Sequence, residues 1–377
     1  MGKKAIRVAV CGVGNCASAL IQGIEYYRHN PSQRDGLMHQ NLGGYRLEDI
    51  RMVAAFDIDR RKVGRPLQEA VLAPPNCVVP IWTSLPDYGV TVQMGPVLDG
   101  VAPHMREFPP ERTFLPSSEQ PVPVEQVLKK EKVEILLNYL PVGSAQAVRY
   151  YTECCLKTGV SLVNCMPEFI ASDPVWARKF KQQGIPLIGD DIKSQIGATI
   201  IHRILTRLFE DRGVRIQRTY QLNTGGNTDF LNMLDRSRLK TKKISKTEAV
   251  QSQLSEPLSD ENIHIGPADY VPWQLDNKIC FLRLEATNFC GVPLEFEARL
   301  SVQDSPNSAG VAIDAIRYCR VARDRGEAGV LLPASAYLMK HPPVQMEEGK
   351  ARRLMEAYLA RKQVKPRAVL RTSLKPT

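Results

Sequence analysis

The sequence has no long apolar run and no cysteine pairing pattern, and these absences exclude several classes of protein. No stretch approaches the roughly 20 apolar residues of a membrane-spanning helix. Residues 1–7 carry neither the apolar region nor the small-residue cleavage site of a signal peptide. The nine cysteines form no Cys-x-x-Cys pair, which is typical of reduced, buried thiols. We therefore expect a soluble, cytoplasmic protein without a membrane partner.

The common motifs of hydrolases and of nucleoside triphosphatases are also absent. The chain contains no His-Glu-x-x-His, no Gly-x-Ser-x-Gly and no phosphate-binding loop. The six histidines show no metal-ligand spacing. The residues themselves therefore predict neither a hydrolase nor a metal site.

Positive charge is concentrated at the C-terminus. The formal net charge is +10, but residues 350–377 hold nine Lys or Arg and a single acid, Glu356, so residues 1–349 carry only +2. A terminal charge run is usually solvated, and we expect a solvated basic tail over residues 347–377. Because the body is nearly neutral, we expect no nucleic-acid partner.

A glycine turn near the N-terminus predicts a dinucleotide site. The apolar strand 6–11 is followed by Gly12-Val13-Gly14-Asn15-Cys16-Ala17 and then by a helical pattern. In such a turn the first glycine permits the tight bend, the second lets the backbone approach a pyrophosphate, and the small third residue allows close helix packing. The helix N-terminus adds amide groups and partial positive charge.

The second strand pattern indicates which dinucleotide binds. Asp57 follows the buried strand 52–56, where an acid typically binds the ribose hydroxyls. A polar insertion over residues 29–48 explains its long separation from Gly12. The nearby basic residues could accept a 2′-phosphate, which Asp57 would repel, so the pattern favours NAD over NADP; these residues are Arg60, Arg61 and Lys62.

The remaining patterns predict two kinds of sheet. Helices alternate with short apolar strands between residues 124 and 188, and this predicts a parallel sheet covered on both faces. After Gly213 the alternation is that of antiparallel strands. The fold class is therefore α/β: a Rossmann-like, doubly wound parallel sheet with an inserted α+β region built on an antiparallel sheet. The expected units are 1–204, 205–303, a return to the first domain over 304–346, and the tail over 347–377.

Three charged segments could carry chemistry. In 189–194 (Gly-Asp-Asp-Ile-Lys-Ser), Asp190 and Asp191 could cap a long helix running from 192 to 208, or could orient a substrate together with Lys193. The second segment is a run that forms either a solvated face or a phosphate site: Lys240, Lys242, Lys243 and Lys246. Lys340 ends an apolar stretch, where it could snorkel to solvent or project into a site.

In order along the chain, these stretches resemble the myo-inositol-1-phosphate synthase family, in its short prokaryotic form. The resemblance covers residues 6–343. It rests on the motifs at 10–18, 189–195, 221–230, 243–247, 304–310 and 337–343.

The resemblance implies an NAD-dependent isomerase. Its members convert D-glucose 6-phosphate to 1D-myo-inositol 3-phosphate by oxidation at carbon 5, enolisation, aldol closure and re-reduction, with NAD recycled. It also implies a homotetramer formed through the inserted sheet region. Alternatives are a carbocyclase for another sugar phosphate such as fructose 6-phosphate, a polyol-phosphate dehydrogenase that releases NADH, and a non-catalytic NAD-binding regulator.

The resemblance assigns roles to particular residues. Lys193 is expected to transfer the proton at carbon 5, with Asp191 orienting it or binding a cation, and Lys246 and Lys340 are expected to bind phosphate or stabilise the enolate. Lys243 and Asn223 are expected at the substrate. The expected cofactor residues are Gly12, Val13, Gly14, Asn15, Cys16, Asp57, Tyr139, Asp190 and Ser305. Residues 197–199 (Gly-Ala-Thr) replace a second lysine of longer family members, so a bound mono- or divalent cation could balance the phosphate charge instead.

Overall fold

The computed structural model describes residues 5–361, in which strands and helices alternate. The strands are β1 (Ile6–Cys11), β2 (Ile50–Asp57), β3 (Val92–Met94), β4 (Ile135–Asn138), β5 (Ser161–Asn164), β6 (Pro186–Ile188), β7 (Arg215–Gly225), β8 (Ile263–Tyr270), β9 (Asn277–Thr287), β10 (Pro293–Gln303) and β11 (Gly329–Val330). The helices are α1 (Asn15–His29), α2 (Leu67–Ala70), α3 (Val124–Lys130), α4 (Ala145–Thr158), α5 (Pro174–Gln182), α6 (Ala198–Asp211), α7 (Thr228–Asn232), α8 (Lys240–Gln251), α9 (Asp304–Asp324), α10 (Leu332–Leu338) and α11 (Glu348–Ala360). Within the described range no helix is both long and apolar enough to cross a membrane.

The predicted doubly wound parallel sheet is confirmed. Seven strands pair in parallel in the order β11-β6-β5-β4-β1-β2-β3. Side chains of β1 alternate between two buried clusters: Val8 and Val10 pack on the side of α1 and α9, whereas Ala9 and Cys11 pack on the side of α3, α4 and α5. Because both faces are covered, the strands read as continuous apolar runs.

The strand order reverses between β1 and β4. From this point β2 and β3 extend to one side, and β5, β6 and β11 extend to the other. In such sheets a crevice opens at the carboxyl ends of the two central strands, and ligands bind there. Here those ends carry Gly12 and Tyr139.

The second sheet has the order β10-β9-β7-β8 and differs from the prediction in one strand. The strands β7, β9 and β10 pair antiparallel, as expected. However, β8 pairs in parallel with β7, so the sheet is mixed. The physical reason is its connection, because α7 and α8 carry the chain back before β8 begins, and such a crossover produces a parallel pair.

The helix expected from residue 192 begins at Ala198 instead. Residues 189–197 are irregular, and Asp191 has a left-handed backbone conformation with φ of 61°. Asp190 and Asp191 therefore do not cap this helix. The apolar residues spaced four apart on this helix do not face the core either. Ile204 and Leu208 are exposed, whereas Arg203 is fully buried.

The C-terminal segment also differs from the expected solvated tail. Helix α11 packs on the body through Ala351, Met355 and Tyr358, which are all buried. Arg325 on the body donates hydrogen bonds to the carbonyl oxygens of Tyr358 and Leu359. The helical segment is thus part of the fold, and the rest of the predicted tail, 362–377, lies outside the described residues.

Candidate active site

A cavity lined by charged residues lies where the carboxyl ends of β5 and β6 meet β7, α8 and the first turn of α1. Four lysines line it and define what we call the lysine cavity: Lys242 and Lys246 from α8, Lys278 from β9, and Lys340 after α10. Cys16 from α1 lines the same cavity. The cavity therefore begins beside the glycine turn and collects positive charge from three separate segments of the chain.

Three of these lysines form ion pairs with aspartates that also line the cavity. The pairs are Lys340 with Asp191 at 2.9 Å, Lys242 with Asp229 at 2.7 Å, and Lys278 with Asp304. Each pair joins two different elements of the fold. The carboxylates hold the ammonium groups in position and reduce their mutual repulsion.

Lys246 differs from the other three lysines. Among residues 5–361, no carboxylate lies within ion-pair distance of its Nζ. Burial lowers the pKa of Lys246 to about 7, and the positive charges of Lys242, Lys278 and Lys340 act in the same direction. Lys246 is therefore the lysine most free to accept an anionic ligand, and its charge changes near neutral pH.

Asp191 joins two segments of the cavity. Its carboxylate accepts hydrogen bonds from Nζ of Lys340 at 2.9 Å and from the hydroxyl of Ser245 on α8 at 2.6 Å. Burial would raise the pKa of Asp191, but the ammonium groups of Lys340 and Lys242 outweigh it and lower the pKa below its usual value. This carboxylate therefore stays ionised, and it fixes the end of Lys340.

Lys193 does not line the lysine cavity. Its ammonium group is buried and donates to Oε1 of Glu348 at 2.7 Å and to the carbonyl oxygen of Ala336 at 3.0 Å. Burial lowers the pKa of Lys193 to about 8. The structure thus brings Lys340, Lys246 and Asp191 together but leaves Lys193 outside, and the geometry does not favour its predicted proton transfer.

The structure brings one predicted substrate residue to the cavity and not the other. Asn223 on β7 lines the cavity, and its Nδ2 donates to the carbonyl oxygen of Gly266 at 2.7 Å. Lys243 is exposed and does not line the cavity. Instead Lys242 does so, because a residue four positions before Lys246 lies on the same helix face.

Sequence reasoning missed Lys278 and the acids that pair with Lys242 and Lys278. For Lys242 the sequence does contain a signal, because its spacing of four from Lys246 places both lysines on one helix face. Lys278 occupies one position of an alternating strand, and nothing in its local pattern distinguishes it from a surface lysine.

The glycine turn has the geometry of a dinucleotide site. Gly12 has φ of +89°, and a Cβ there would lie 2.5 Å from the carbonyl oxygen of Tyr139. Gly14 begins α1 as its N-cap, and no heavy atom would lie within 4 Å of a Cβ at that position. The tight turn at Gly12 and the open space at Gly14, beside the N-terminus of α1, together fit a pyrophosphate.

Asp57 connects this turn to a second cavity. Its Oδ2 accepts a hydrogen bond from the amide of Val13 at 2.8 Å. The second cavity is lined by Gly12, Gly14, Asp57 and Tyr139, among others. The hydroxyl of Tyr139 is buried, and in the described part of the chain it has no hydrogen-bond partner.

The other predicted cofactor residues occupy different positions. Asn15 accepts a hydrogen bond from the amide of Cys77 at 2.7 Å, and the hydroxyl of Ser305 lies 3.9 Å from Sγ of Cys16. Asp190 lines neither the lysine cavity nor the second cavity. Its carboxylate is buried and is occupied by donors from Asn164 and from residues 170–172, so it orders that loop.

Comparison with known proteins identifies relatives over nearly the whole chain. A family model for myo-inositol-1-phosphate synthase matches residues 197–305. Inositol-3-phosphate synthase of Corynebacterium glutamicum is 52% identical over 366 residues, which cover 95% of this chain and 99% of that protein.

Solved structures share the fold over nearly the whole chain. The crystal structure of Ari2 is 34% identical with a TM-score of 0.75, and the match covers 94% of this chain and 99% of that one. The crystal structure of inositol-3-phosphate synthase from Caenorhabditis elegans is 14% identical with a TM-score of 0.74, and the match covers 95% of this chain and 86% of that one. The resemblance recognised in the sequence is confirmed: this chain belongs to the myo-inositol-1-phosphate synthase family.

Proposed function

We propose that this chain converts D-glucose 6-phosphate to 1D-myo-inositol 3-phosphate, with bound NAD recycled in each turnover. The observation that carries the proposal is the lysine cavity, which begins at Cys16, two residues after Gly14. A phosphate dianion and a developing enolate both require stabilisation by positive charge, and a desolvated cluster of ammonium groups supplies it. The names and identities of the relatives support the same reaction.

The residues around the glycine turn fit NAD. Gly12 and Gly14 would hold the pyrophosphate at the start of α1, and Asp57 and Tyr139 would line the adenosine side. The carboxylate of Asp57 accepts three backbone amides, from Val13, Ile58 and Asp59. A carboxylate has about four acceptor sites, so one remains for a ribose hydroxyl.

Two of the three basic residues after β2 support NAD over NADP. Arg61 is paired with Asp59, and Nζ of Lys62 donates to the carbonyl oxygen of Val13 at 2.8 Å and to the side chain of Asn76 at 2.9 Å. Both cations are therefore engaged inside the protein. The charge of Asp57 remains available to repel a 2′-phosphate.

The roles of the cavity residues follow from their pairing. When bound, NAD would supply the redox chemistry at carbon 5 of the sugar. Lys246, which has no partner acid among the described residues, would receive the substrate phosphate. Lys340, held in place by Asp191, would stabilise the enolate oxygen that forms once carbon 5 is a ketone. Asn223 would hydrogen-bond a sugar hydroxyl.

Lysines of the cavity would balance the phosphate charge. Besides its three ion pairs, the lysine cavity offers the ammonium group of Lys246. This charge would compensate for the lysine that residues 197–199 do not provide.

Exposed apolar residues support a homotetramer formed through the second sheet and α6. Ile196, Ile204 and Leu208 are 58%, 51% and 49% exposed and are spaced four or eight residues apart. Trp273 and Phe289, which flank β9, are 81% and 84% exposed. Large apolar side chains grouped in this way typically mark a contact between subunits.

The reaction is tested by supplying glucose 6-phosphate with NAD far below the substrate concentration. We expect inositol monophosphate in large excess over NAD, detected by phosphorus NMR, with no accumulation of NADH. NADH accumulating in step with product would instead indicate a dehydrogenase. A parallel reaction with fructose 6-phosphate tests the alternative carbocyclase, which would form a ring from that substrate only.

A further inference from the structure

Two buried cations share one carboxylate beneath the lysine cavity. Oε1 of Glu348 lies 2.7 Å from Nζ of Lys193 and 2.8 Å from Nε of Arg203. The side chains of Lys193 and Arg203 are 2% and 0% exposed, and that of Glu348 is 18% exposed. Glu348 is the first residue of α11, so the C-terminal helix supplies the negative charge for both cations.

Lys193 belongs to a short ladder that also holds the Asp191–Lys340 pair. The amide of Lys193 donates to the carbonyl oxygen of Leu338 at 2.9 Å, and the amide of Lys340 donates to that of Asp191 at 2.7 Å. Residues 190–193 and 338–341 therefore run side by side. The side chains of Asp191 and Lys340 face the cavity, whereas that of Lys193 faces Glu348.

Arg203 connects the same carboxylate to the helix that carries the other cavity lysines. Its Nη1 donates to the carbonyl oxygen of Ala249 on α8, and its Nη2 donates to that of Met346 at 2.6 Å. Helix α8 contributes Lys242 and Lys246 to the cavity. Glu348 is thus linked through one cation to the ladder and through the other to α8.

We propose that Glu348 is a positioning residue: by pairing with Lys193 and Arg203 it holds the ladder and α8 at the separation that places Lys340 and Lys246 around one substrate. This role rests on the proposed function, because it assumes that both lysines act on the same sugar phosphate. Loss of the Glu348 charge would break both ion pairs, and the pKa of Lys193, which burial and Arg203 already lower, would fall further, so the ladder and α8 would no longer be tied to one carboxylate. Lys193 would then contribute to catalysis indirectly, by holding the ladder in place, and not by transferring a proton itself.

The test compares Glu348→Gln with Glu356→Gln, a matched control on the same helix. Glu356 forms an exposed ion pair with Arg352 and contacts neither cation. Glutamine keeps the shape of glutamate but removes its charge. We expect Glu348→Gln to lower kcat at least tenfold and to raise KM for glucose 6-phosphate, with the Kd of NAD unchanged because the glycine turn is separate. Glu356→Gln should match the wild type.

A purely structural role would give a different result. It would lower the melting temperature and the fraction of NAD-binding protein, while kcat per NAD-binding site and KM stayed at wild-type values, and that outcome would overturn the proposal. If Glu348→Gln does not fold, Glu348→Asp is measured instead. It keeps the charge on a shorter side chain, and we expect reduced kcat with the Kd of NAD retained; unchanged kcat and KM would contradict the proposal.

Binding of inorganic phosphate separates this inference from the proposed reaction. Isothermal titration of the wild type and of Glu348→Gln with phosphate reports on the lysine cavity without turnover. Weaker binding by Glu348→Gln supports the positioning role even if the wild type produces no inositol phosphate from glucose 6-phosphate, a result that would contradict only the proposed function. Equal phosphate binding by the two proteins would count against the positioning role.

Discussion

At the scale of single residues, the charge of Lys246 is expected to control substrate binding. Its pKa is lowered to about 7, so the ammonium form predominates below that pH and is lost above it. The second pKa of a phosphate monoester is about 6. The ammonium form of Lys246 and the dianion of the substrate therefore both predominate only between the pKa of the phosphate and that of Lys246.

This relation predicts the pH dependence of kcat/KM for glucose 6-phosphate. We expect kcat/KM to fall about tenfold per pH unit above about pH 7, because kcat/KM reports on ionisations of the free enzyme. The alkaline limb of kcat should lie at higher pH, since bound phosphate stabilises the ammonium form. A kcat/KM that rises through pH 7 would show that Lys246 acts as a base.

Variants of Lys246 supply the control. Lys246→Met should lower kcat/KM by about 100-fold, as expected for loss of one charged stabilising group in a desolvated site. Lys246→Arg keeps its charge throughout this pH range, so its kcat/KM should lose the alkaline limb near pH 7 whatever its absolute value. An alkaline limb that is unchanged in Lys246→Arg would assign this ionisation to another residue.

The two glycines of the turn make a second pair of residue-scale tests. Gly12→Ala should lower the free energy of unfolding by roughly 2 kcal/mol or more, because φ is positive and the new Cβ would meet the carbonyl of Tyr139. Gly14→Ala should leave stability almost unchanged, since the space around it is open. Both substitutions should weaken NAD binding at least tenfold, as measured by titration calorimetry. NAD binding retained by Gly14→Ala would contradict the predicted pyrophosphate site.

Sequence reasoning identified some site residues and missed others for physical reasons. The glycine turn is encoded locally, so its conformation was predictable from Gly12 and Gly14. The lysine cavity is assembled from distant segments, and a sequence does not reveal which lysine faces inward. The lysine run therefore does not show that Lys242, rather than the predicted Lys243, faces the cavity, and no local pattern indicates that Lys193 is buried against a helix that begins at residue 348.

At the scale of elements, helix α11 belongs to the folded body, and adjacent positions test this. Met355 is fully buried, whereas Leu354 is 39% exposed. Met355→Ala should lower the free energy of unfolding by about 2–5 kcal/mol, because it leaves a cavity in the core. Leu354→Ala should cost less than about 1 kcal/mol. Denaturant unfolding measures both, and equal small effects would favour a solvated segment.

The elements most readily predicted were those with strong local periodicity. The bounds of β1 agree with the predicted strand 6–11, because its apolar run ends directly at the glycine turn. Helix α6 begins six residues later than predicted, because an isoleucine spacing of four continues through the irregular segment 189–197. The parallel pairing of β8 depends on the α8 crossover and has no local signature.

At the scale of the whole molecule, the exposed stripe of α6 is expected to lie in a subunit contact. Light scattering should give the mass of four 42.2 kDa chains for the wild type. Ile204→Glu would place a charge in that contact and should yield a smaller assembly with helical content retained. Arg352→Gln, a change at an exposed position of α11 outside this contact, is the control. A wild-type monomer, or a tetramer unaffected by Ile204→Glu, would contradict this assignment.

The two halves of the molecule have complementary tasks in this scheme. The parallel sheet holds the cofactor at the ends of β1 and β4, and the mixed sheet and α8 bring lysines to the adjoining cavity. We expect the hydride removed from carbon 5 to return to the same carbon before product leaves. The protein would then be an isomerase with no net redox change.

Turnover of glucose 6-phosphate deuterated at carbon 5, in the presence of NAD and excess unlabelled NADH, tests directly whether the hydride returns to the same carbon. We predict that every inositol phosphate formed retains one deuterium and that no deuterated NADH appears in solution, as measured by mass spectrometry. Unlabelled inositol phosphate together with deuterated NADH would show that the cofactor exchanges during turnover, and it would contradict this expectation.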